Sequence, residues 1–127
     1  MDIKRSIDVE YAIKLLLDSM LTAYCRPLPA DYSLPNILIS QVGGSDENEV
    51  DTFEIVLDAR AETEAEANEY MRNAIGILKA KAGLPDNEIR SVRVTSSGSW
   101  GADPVRPDLA MYSSRLSVVA HLEQTTI

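Results

Sequence analysis

The chain has 127 residues, of which 45% are hydrophobic and 25% charged, with a formal net charge of −8 at pH 7. This length predicts one domain over residues 1–127, and the composition is typical of a globular protein. Twenty acids against 12 bases argue against tight binding to nucleic-acid phosphates, which needs clustered Lys and Arg. No stretch approaches the roughly 18 uncharged apolar residues of a membrane span, and the charged N-terminal segment does not fit a signal peptide. We therefore expect no membrane segment and synthesis in the cytoplasm.

The first predicted element is a helix over residues 7–24, where apolar residues recur at intervals of three and four. Ser6 or Asp8 can cap its start, and proline at the following RPLP sequence ends it. Residues 25–35 hold three prolines and predict an extended connector. Cys25 is the single cysteine, so it has no intrachain disulfide partner, and we expect it to be a small buried residue at the helix end.

A hairpin with an acidic tip is predicted next. Residues 37–42 are strand-like, and apolar residues alternate with polar ones over 53–59, which is the period of a strand with one buried face. Residues 43–48 between them combine two glycines with acids and predict a turn. Glu54 and Asp58 share one strand face and are the candidate acid/base pair, although the sequence supplies no converging polar groups around them.

The second helix is predicted to begin at Thr63. The sequence from Thr63 to Glu66 fits a capping box, and acids over 62–66 lie at the positive end of the helix dipole. Apolar residues then follow at helical spacing, and Gly83 and Pro85 end the helix. We therefore interpret these acids as stabilising the helix and not as forming a site.

Two further strands complete the prediction. Alternation around residues 92–95 indicates one strand, and apolar residues of one parity over 112–122 indicate another. Residues 96–110 between them predict a long Gly- and Ser-containing loop. The fold class is therefore α+β, with two helices on one face of a mostly antiparallel four-stranded sheet in the order α-β-β-α-β-β.

The hairpin tip is the best candidate for a metal site, because carboxylate oxygens such as those of Asp46, Glu47 and Glu49 suit Ca²⁺. The spacing does not fit an EF-hand loop, since Asp51 occupies the position where glycine is required. We interpret the tip as a solvated turn, and we predict no metal site, no cofactor and no catalytic residue.

Four other residues are candidates for a partner or oligomer interface. Trp100 is the only tryptophan and lies in a Gly- and Ser-rich stretch, where it either folds over the edge of the core or anchors a partner. Val56 and Val119 lie among polar residues on the outward strand face, and His121 shares the parity of Val119. An outward face of mixed character indicates that another subunit covers it. The acids of the hairpin tip would belong to the same interface.

Several segments together carry a family resemblance. They are IDVEYAI at 7–13, LPA at 28–30, the strand running into Gly43–Gly44, LDARAETEAEA at 57–67, Asp103–Pro104, and YSSRLSV at 112–118. In this layout the chain resembles the tail terminator proteins of long-tailed phages and prophages, especially those of phages of Gram-positive bacteria. Related neck and tail-tube proteins share its size and layout.

The resemblance implies a structural virion protein without catalytic residues. Its subunits would form a ring, usually a hexamer, that caps the finished tail tube and joins a head-completion or neck protein. DNA would pass through the lumen without specific binding, and an acidic lumen would repel its phosphates. The alternative is a small cytoplasmic α+β enzyme or ligand-binding domain, for which Glu54, Asp58 and the 96–110 loop would supply the site.

Overall fold

The computed structural model describes residues 1–47 and 50–127. Within these ranges it has two helices and seven strands in two sheets, which confirms the α+β class and corrects the prediction of four strands. The larger sheet has the order β2-β3-β4-β6-β5; β2 and β3 pair in parallel and the other neighbours are antiparallel. In chain order the elements are β1 (Asp2–Arg5), α1 (Val9–Leu17), β2 (Ala23–Cys25), β3 (Asn36–Glu47), β4 (Val50–Ala61), α2 (Glu64–Lys81), β5 (Ile89–Ala102), β6 (Ala110–His121) and β7 (Glu123–Thr126).

The first helix is shorter than predicted. Asp8 caps α1, since its Oδ1 accepts a hydrogen bond from the Tyr11 N–H at 3.2 Å. The helix ends at Leu17, so the prediction that it continues to residue 24 is wrong. Only the first part of the apolar stripe is helical, and Met20 beyond it is exposed.

The missing end of the predicted helix forms a strand instead. Residues 23–25 of β2 pair in parallel with residues 37–39 of β3. Strand pairing and the burial of Ala23 outweigh the helical spacing of the apolar residues there. Cys25 is consequently half-buried in a strand, which corrects its expected place at a helix end.

The hairpin of β3 and β4 has a shorter connection than predicted. Pairing continues to Glu47, which lies opposite Val50, so the described part of the predicted 43–48 turn is strand, while Asn48 lies outside the described residues. The register shifts between Gln41 and Gly43. A Cβ on Gly44 would lie 2.8 Å from a backbone oxygen of β4, so glycine here permits close strand approach and not a turn.

The predicted 96–110 loop is also mostly strand. β5 runs to Ala102 and β6 begins at Ala110, which leaves residues 103–109 as the connection. Residues 95–102 of β5 are largely exposed, so this part of the strand lacks the alternation that burial of one face would require. Gly98 has a φ of +64°, and a Cβ there would overlap the Tyr112 hydroxyl.

The second helix agrees with its prediction. The Thr63 hydroxyl accepts a hydrogen bond from the Glu66 N–H at 3.2 Å, which confirms the cap, and α2 ends at Lys81. Gly83 has a φ of +84°, as expected for a residue that follows a helix. The Lys81 Nζ donates to the Leu16 carbonyl at 2.9 Å and thereby joins the two helices.

One hydrophobic core lies between the helices and the sheet. Alternate residues of β4 and β6 point into it, and neither of the two described helices packs on the opposite face of the sheet. The largest fully buried side chains include Ile13, Leu17, Ile37, Ile39, Ile55, Leu57, Met71, Leu78, Leu116 and Val118.

A second, two-stranded sheet joins the two ends of the chain. β1 and β7 pair antiparallel, with Asp2 opposite Thr126 and Arg5 opposite Glu123. Across the described residues, no helix is long and apolar enough to cross a membrane.

Candidate functional site

Trp100 lies on an edge strand and not in a loop. It is the register partner of Tyr112, and the two rings meet edge to face with centroids 4.6 Å apart and planes at 75°. Its side chain is 46% exposed and lines an open groove with Glu62, Glu64 and Leu109 beside the start of α2. Trp100 thus packs on Tyr112 and leaves part of its ring exposed, and its role as an anchor for a partner stays a prediction.

Val56 and Val119 lie on the helix-free face of the sheet, as predicted, and both are half-buried. The structure does not make them cross-strand partners. Val56 lies between Ser40 and Arg115, whereas Val119 lies opposite Thr52. This face is thus a mixed surface with separated apolar residues and not a continuous apolar patch.

The acids of the hairpin and His121 lie at the end of the sheet opposite to Trp100. Glu47, Val50 and His121 are register partners in one row across three strands. Two strand spacings, about 10 Å, separate Glu47 from His121. Asp46 and Glu47 are exposed, His121 is exposed too, and Glu49 lies outside the described residues. Trp100 is therefore not part of this group, and the candidate interface residues divide between the two ends of the sheet.

Asp51 is a buried carboxylate within the same hairpin. Asp51 is only 3% exposed, and its Oδ2 is buried without a hydrogen-bond partner among the described residues. Asp46 lies directly opposite it in the ladder. Like charges at paired positions destabilise a sheet, so this arrangement does not stabilise the hairpin.

A second buried carboxylate, Asp103, forms an ion pair that the sequence analysis missed. The Nε of Arg60 donates to Asp103 Oδ2 at 2.5 Å, and the two residues are 7% and 3% exposed. Asp103 Oδ1 accepts hydrogen bonds from the backbone N–H groups of Val105 at 2.8 Å and Arg106 at 3.0 Å. Burial acts to raise the pKa of Asp103, but these backbone bonds and the Arg60 guanidinium together hold that pKa below its ordinary value.

The Arg60–Asp103 pair lines a cavity of about 450 Å³ between the 26–35 connector and the 103–109 turn. Arg60 Nη1 is buried and has no hydrogen-bond partner among the described residues. Seven further residues complete the lining, which is mostly apolar apart from the second arginine: Leu28, Pro29, Ala30, Tyr32, Pro104, Val105 and Arg106. We refer to this feature as the Arg60 cavity.

The sequence contained one local signal for this site. An aspartate followed by proline is typical of a turn in which the side chain accepts backbone hydrogen bonds two and three residues on. Asp103 does this, but its pairing with Arg60 spans 43 positions and leaves no local pattern. The long-range partner is the part that the sequence could not reveal.

Glu54 and Asp58, the candidate acid/base pair, differ in burial and in hydrogen bonding. Glu54 is exposed, whereas Asp58 is half-buried and accepts a hydrogen bond from the Ser113 hydroxyl at 2.5 Å. The Asp58 carboxylate is thus engaged with the neighbouring strand.

Cys25 is not a favourable nucleophile. Burial is the main factor that raises the pKa of the Cys25 thiol, which disfavours the thiolate form that a nucleophile needs.

Residues 1–47 and 50–127 offer no cluster of metal ligands. No group of three or more His, Cys, Asp or Glu side chains that could hold a metal ion occurs there. Two other findings concern relatives: no protein-family model matches this chain, and no curated protein matches it.

Proposed function

We propose that this protein is a structural virion subunit, a tail terminator of a long-tailed phage or prophage. Copies of the chain form a closed ring, a hexamer in its usual form, on the end of the tail tube. The ring stops tube growth and presents the surface that the head-completion protein joins. DNA passes through its lumen.

The observation that carries this proposal is the pair of open edges of the five-stranded sheet. β5 is the last strand on one side, and on the other side β2 pairs only with residues 37–39 of β3 among the described residues. An open edge presents unpaired backbone groups that accept another strand. A ring needs two different patches that meet head to tail, and two unlike edges on opposite sides of one sheet meet this requirement.

Part of the β3 edge is already blocked by side chains. The Glu10 carboxylate accepts a hydrogen bond from the Gln41 N–H at 2.9 Å, and Arg26 donates to the Gln41 carbonyl at 3.0 Å. Glu10 and Arg26 also form an ion pair at 2.7 Å. The part of this edge that remains for a neighbouring subunit begins after Gln41, at the acidic end of the hairpin.

The charge of the chain supports a DNA-conducting lumen. The net charge is −8, and Asp46 and Glu47 lie exposed at one end of the sheet. Acidic groups that face DNA repel its phosphates, so a genome can slide past without being held. The same charge disfavours tight nucleic-acid binding.

Native mass measurement at several protein concentrations tests self-association. We expect a hexamer or a mass that rises with concentration, because closing a ring adds cooperativity to weak contacts. Trp100→Ala on the β5 edge should reduce association while the circular dichroism spectrum stays unchanged. Arg72→Ala is the control, because Arg72 is exposed on α2, which packs mainly on the central strands β4 and β6 and not on the sheet edges. A strict monomer at every concentration, with no association when tail tubes are added, would contradict the proposal.

Electron microscopy of particles made without the gene tests the position in the virion. We expect tails of uncontrolled length or tails without heads. Trp100→Ala should give the same particles if this edge is an interface. Normal virions from the gene deletion would refute the tail terminator assignment.

The second candidate function is ligand binding by a small α+β domain, or an enzyme of that class. The Arg60 cavity favours the ligand-binding form, because a buried guanidinium and apolar walls occur together there. A bound metabolite that copurifies with the monomer and is found by mass spectrometry would favour this alternative.

A further inference from the structure

We propose that Glu10 and Arg26 form an autoinhibitory plug on the edge of β3, which must open before a second copy of the chain can pair its β5 strand along Gln41. The role of this plug rests on the ring proposed above, because pairing between sheet edges is what the plug restrains.

The plug lies where β2 stops covering the edge of β3. β2 pairs only with residues 37–39 of β3 among the described residues, although β3 runs on to Glu47. Beyond this pairing, the Gln41 N–H donates to the Glu10 carboxylate at 2.9 Å. The Gln41 carbonyl accepts from Arg26, which directly follows β2, at 3.0 Å. Both backbone groups of Gln41 thus bond to side chains in the place that a further strand would occupy.

The plug is closed at neutral pH but is not locked. Burial acts to raise the pKa of Glu10, but hydrogen bonds from Arg26 and Gln41 together hold that pKa below its ordinary value, so Glu10 stays ionised. Glu10 and Arg26 form an ion pair at 2.7 Å, and the Arg26 side chain is 53% exposed. An ion pair that water reaches in this way contributes little net stability, so it can open without unfolding of the core.

The strand that would replace the plug is β5 of a second copy. Gln41, Ile55, Leu116 and Val94 form one row across the sheet, so Gln41 and Val94 lie level on its two sides. A closed ring repeats by rotation alone, so with its axis along the strands Val94 of the next copy comes level with Gln41. Three antiparallel pairings separate β3 from β5, so the two strands run in opposite directions and would form an antiparallel ladder.

Opening the plug exchanges hydrogen bonds and does not add any at Gln41. A neighbouring strand would supply the two bonds that Glu10 and Arg26 now make, while the ion pair must leave the edge. The plug therefore weakens association at this edge. Pairing is favoured where a second copy is already held close, as on the end of a tail tube, because a high effective concentration outweighs that cost.

Sedimentation equilibrium of the whole chain tests whether the plug restrains association. Glu10→Ala removes the acceptor of the Gln41 N–H and the counter-ion of Arg26, so it should lower the concentration at half association about tenfold. Arg26→Ala frees only the Gln41 carbonyl and should give a smaller decrease. Asp18→Ala is the matched control, because it also removes one negative charge and breaks an exposed ion pair with Lys14 on α1, at 2.7 Å. It should leave association unchanged.

Amide hydrogen exchange locates the contact. In dilute Glu10→Ala the Gln41 amide should exchange faster than in the unmodified protein, and in concentrated solution protection should rise at Gln41 and along residues 92–94 of β5. No gain in association in Glu10→Ala and Arg26→Ala, an equal gain in Asp18→Ala, or a gain that leaves Gln41 unprotected would each overturn the plug, while association of the unmodified protein would still support the ring. Monomers of every variant at every concentration would contradict both the plug and the ring.

Discussion

Asp51 and Asp103 are both 3% exposed, yet their surroundings differ. Asp103 accepts hydrogen bonds from the Arg60 side chain and from two backbone N–H groups. Among residues 1–47 and 50–127, Asp51 Oδ2 has no hydrogen-bond partner, and Asp46 lies opposite it across the hairpin. Equal burial therefore does not imply an equal contribution to stability, because the donors around a buried carboxylate decide whether its charge is compensated.

Removal of the satisfied carboxylate should have the largest effect. Asp103→Ala leaves Arg60 buried without its counter-ion, and breaking a buried pair in this way costs about 3–5 kcal/mol of the free energy of unfolding. Urea denaturation measures the loss. Asp108→Ala is the control, because Asp108 pairs with Arg106 at the exposed surface and its removal should change little. Similar losses in the two variants would show that the Arg60–Asp103 pair is not effectively buried.

The rigidity of the hairpin that carries Asp51 can be tested at Gly44. Gly44→Ala places a Cβ about 2.8 Å from the Thr52 backbone oxygen, and relief of this contact should cost about 2 kcal/mol. Gly101→Ala is the matched control, since its Cβ would meet a Met111 methyl carbon at an ordinary 3.6 Å. A neutral Gly44→Ala in thermal unfolding would mean that the hairpin shifts easily, and Asp51 could then gain a partner by a small movement.

Neutralising the unsatisfied carboxylate should have a smaller effect of opposite sign. Asp51→Asn removes a buried charge and its repulsion with Asp46, so it should raise the free energy of unfolding by up to about 1 kcal/mol. The same urea experiment applied to Asp103→Asn should show a loss. A destabilised Asp51→Asn would indicate that Asp51 has a stabilising partner and would remove the contrast between the two carboxylates.

The acid sensitivity of folding should show the smallest difference between the unmodified protein and an Asp103 variant. The folded-state pKa of Asp103 lies below its unfolded value, so its contribution is complete above about pH 4 and is lost as pH falls through the folded-state pKa. Asp103→Asn should lack this component of the acid transition. Thermal unfolding between neutral pH and strong acid measures it, and identical acid sensitivity in the variant and the unmodified protein would contradict the assigned cause.

Elements with local sequence signals could be predicted, and contacts between distant residues could not. The start and end of α2 were predictable because each has a local signal: Thr63 caps the Glu66 N–H at the start, and Gly83 takes a positive φ just after the last helical residue. β2 was not, because its pairing with residues 37–39 outweighs a helical spacing of apolar residues. The second half of β5 was not, because its residues are largely exposed and show no strand alternation. Asp103 followed by Pro104 is a local turn signal, but the partner Arg60 became apparent only in the folded chain.

Trp100 is an intrinsic fluorescence probe of the β5 edge. As the only tryptophan, it supplies all indole emission, and its half-exposed ring lies against Tyr112. Emission from a half-exposed indole shifts to shorter wavelength when water is displaced from it. Contact at the β5 edge can therefore be followed in real time without any attached dye, while occupation of the Arg60 cavity should leave this signal unchanged because Trp100 does not line it.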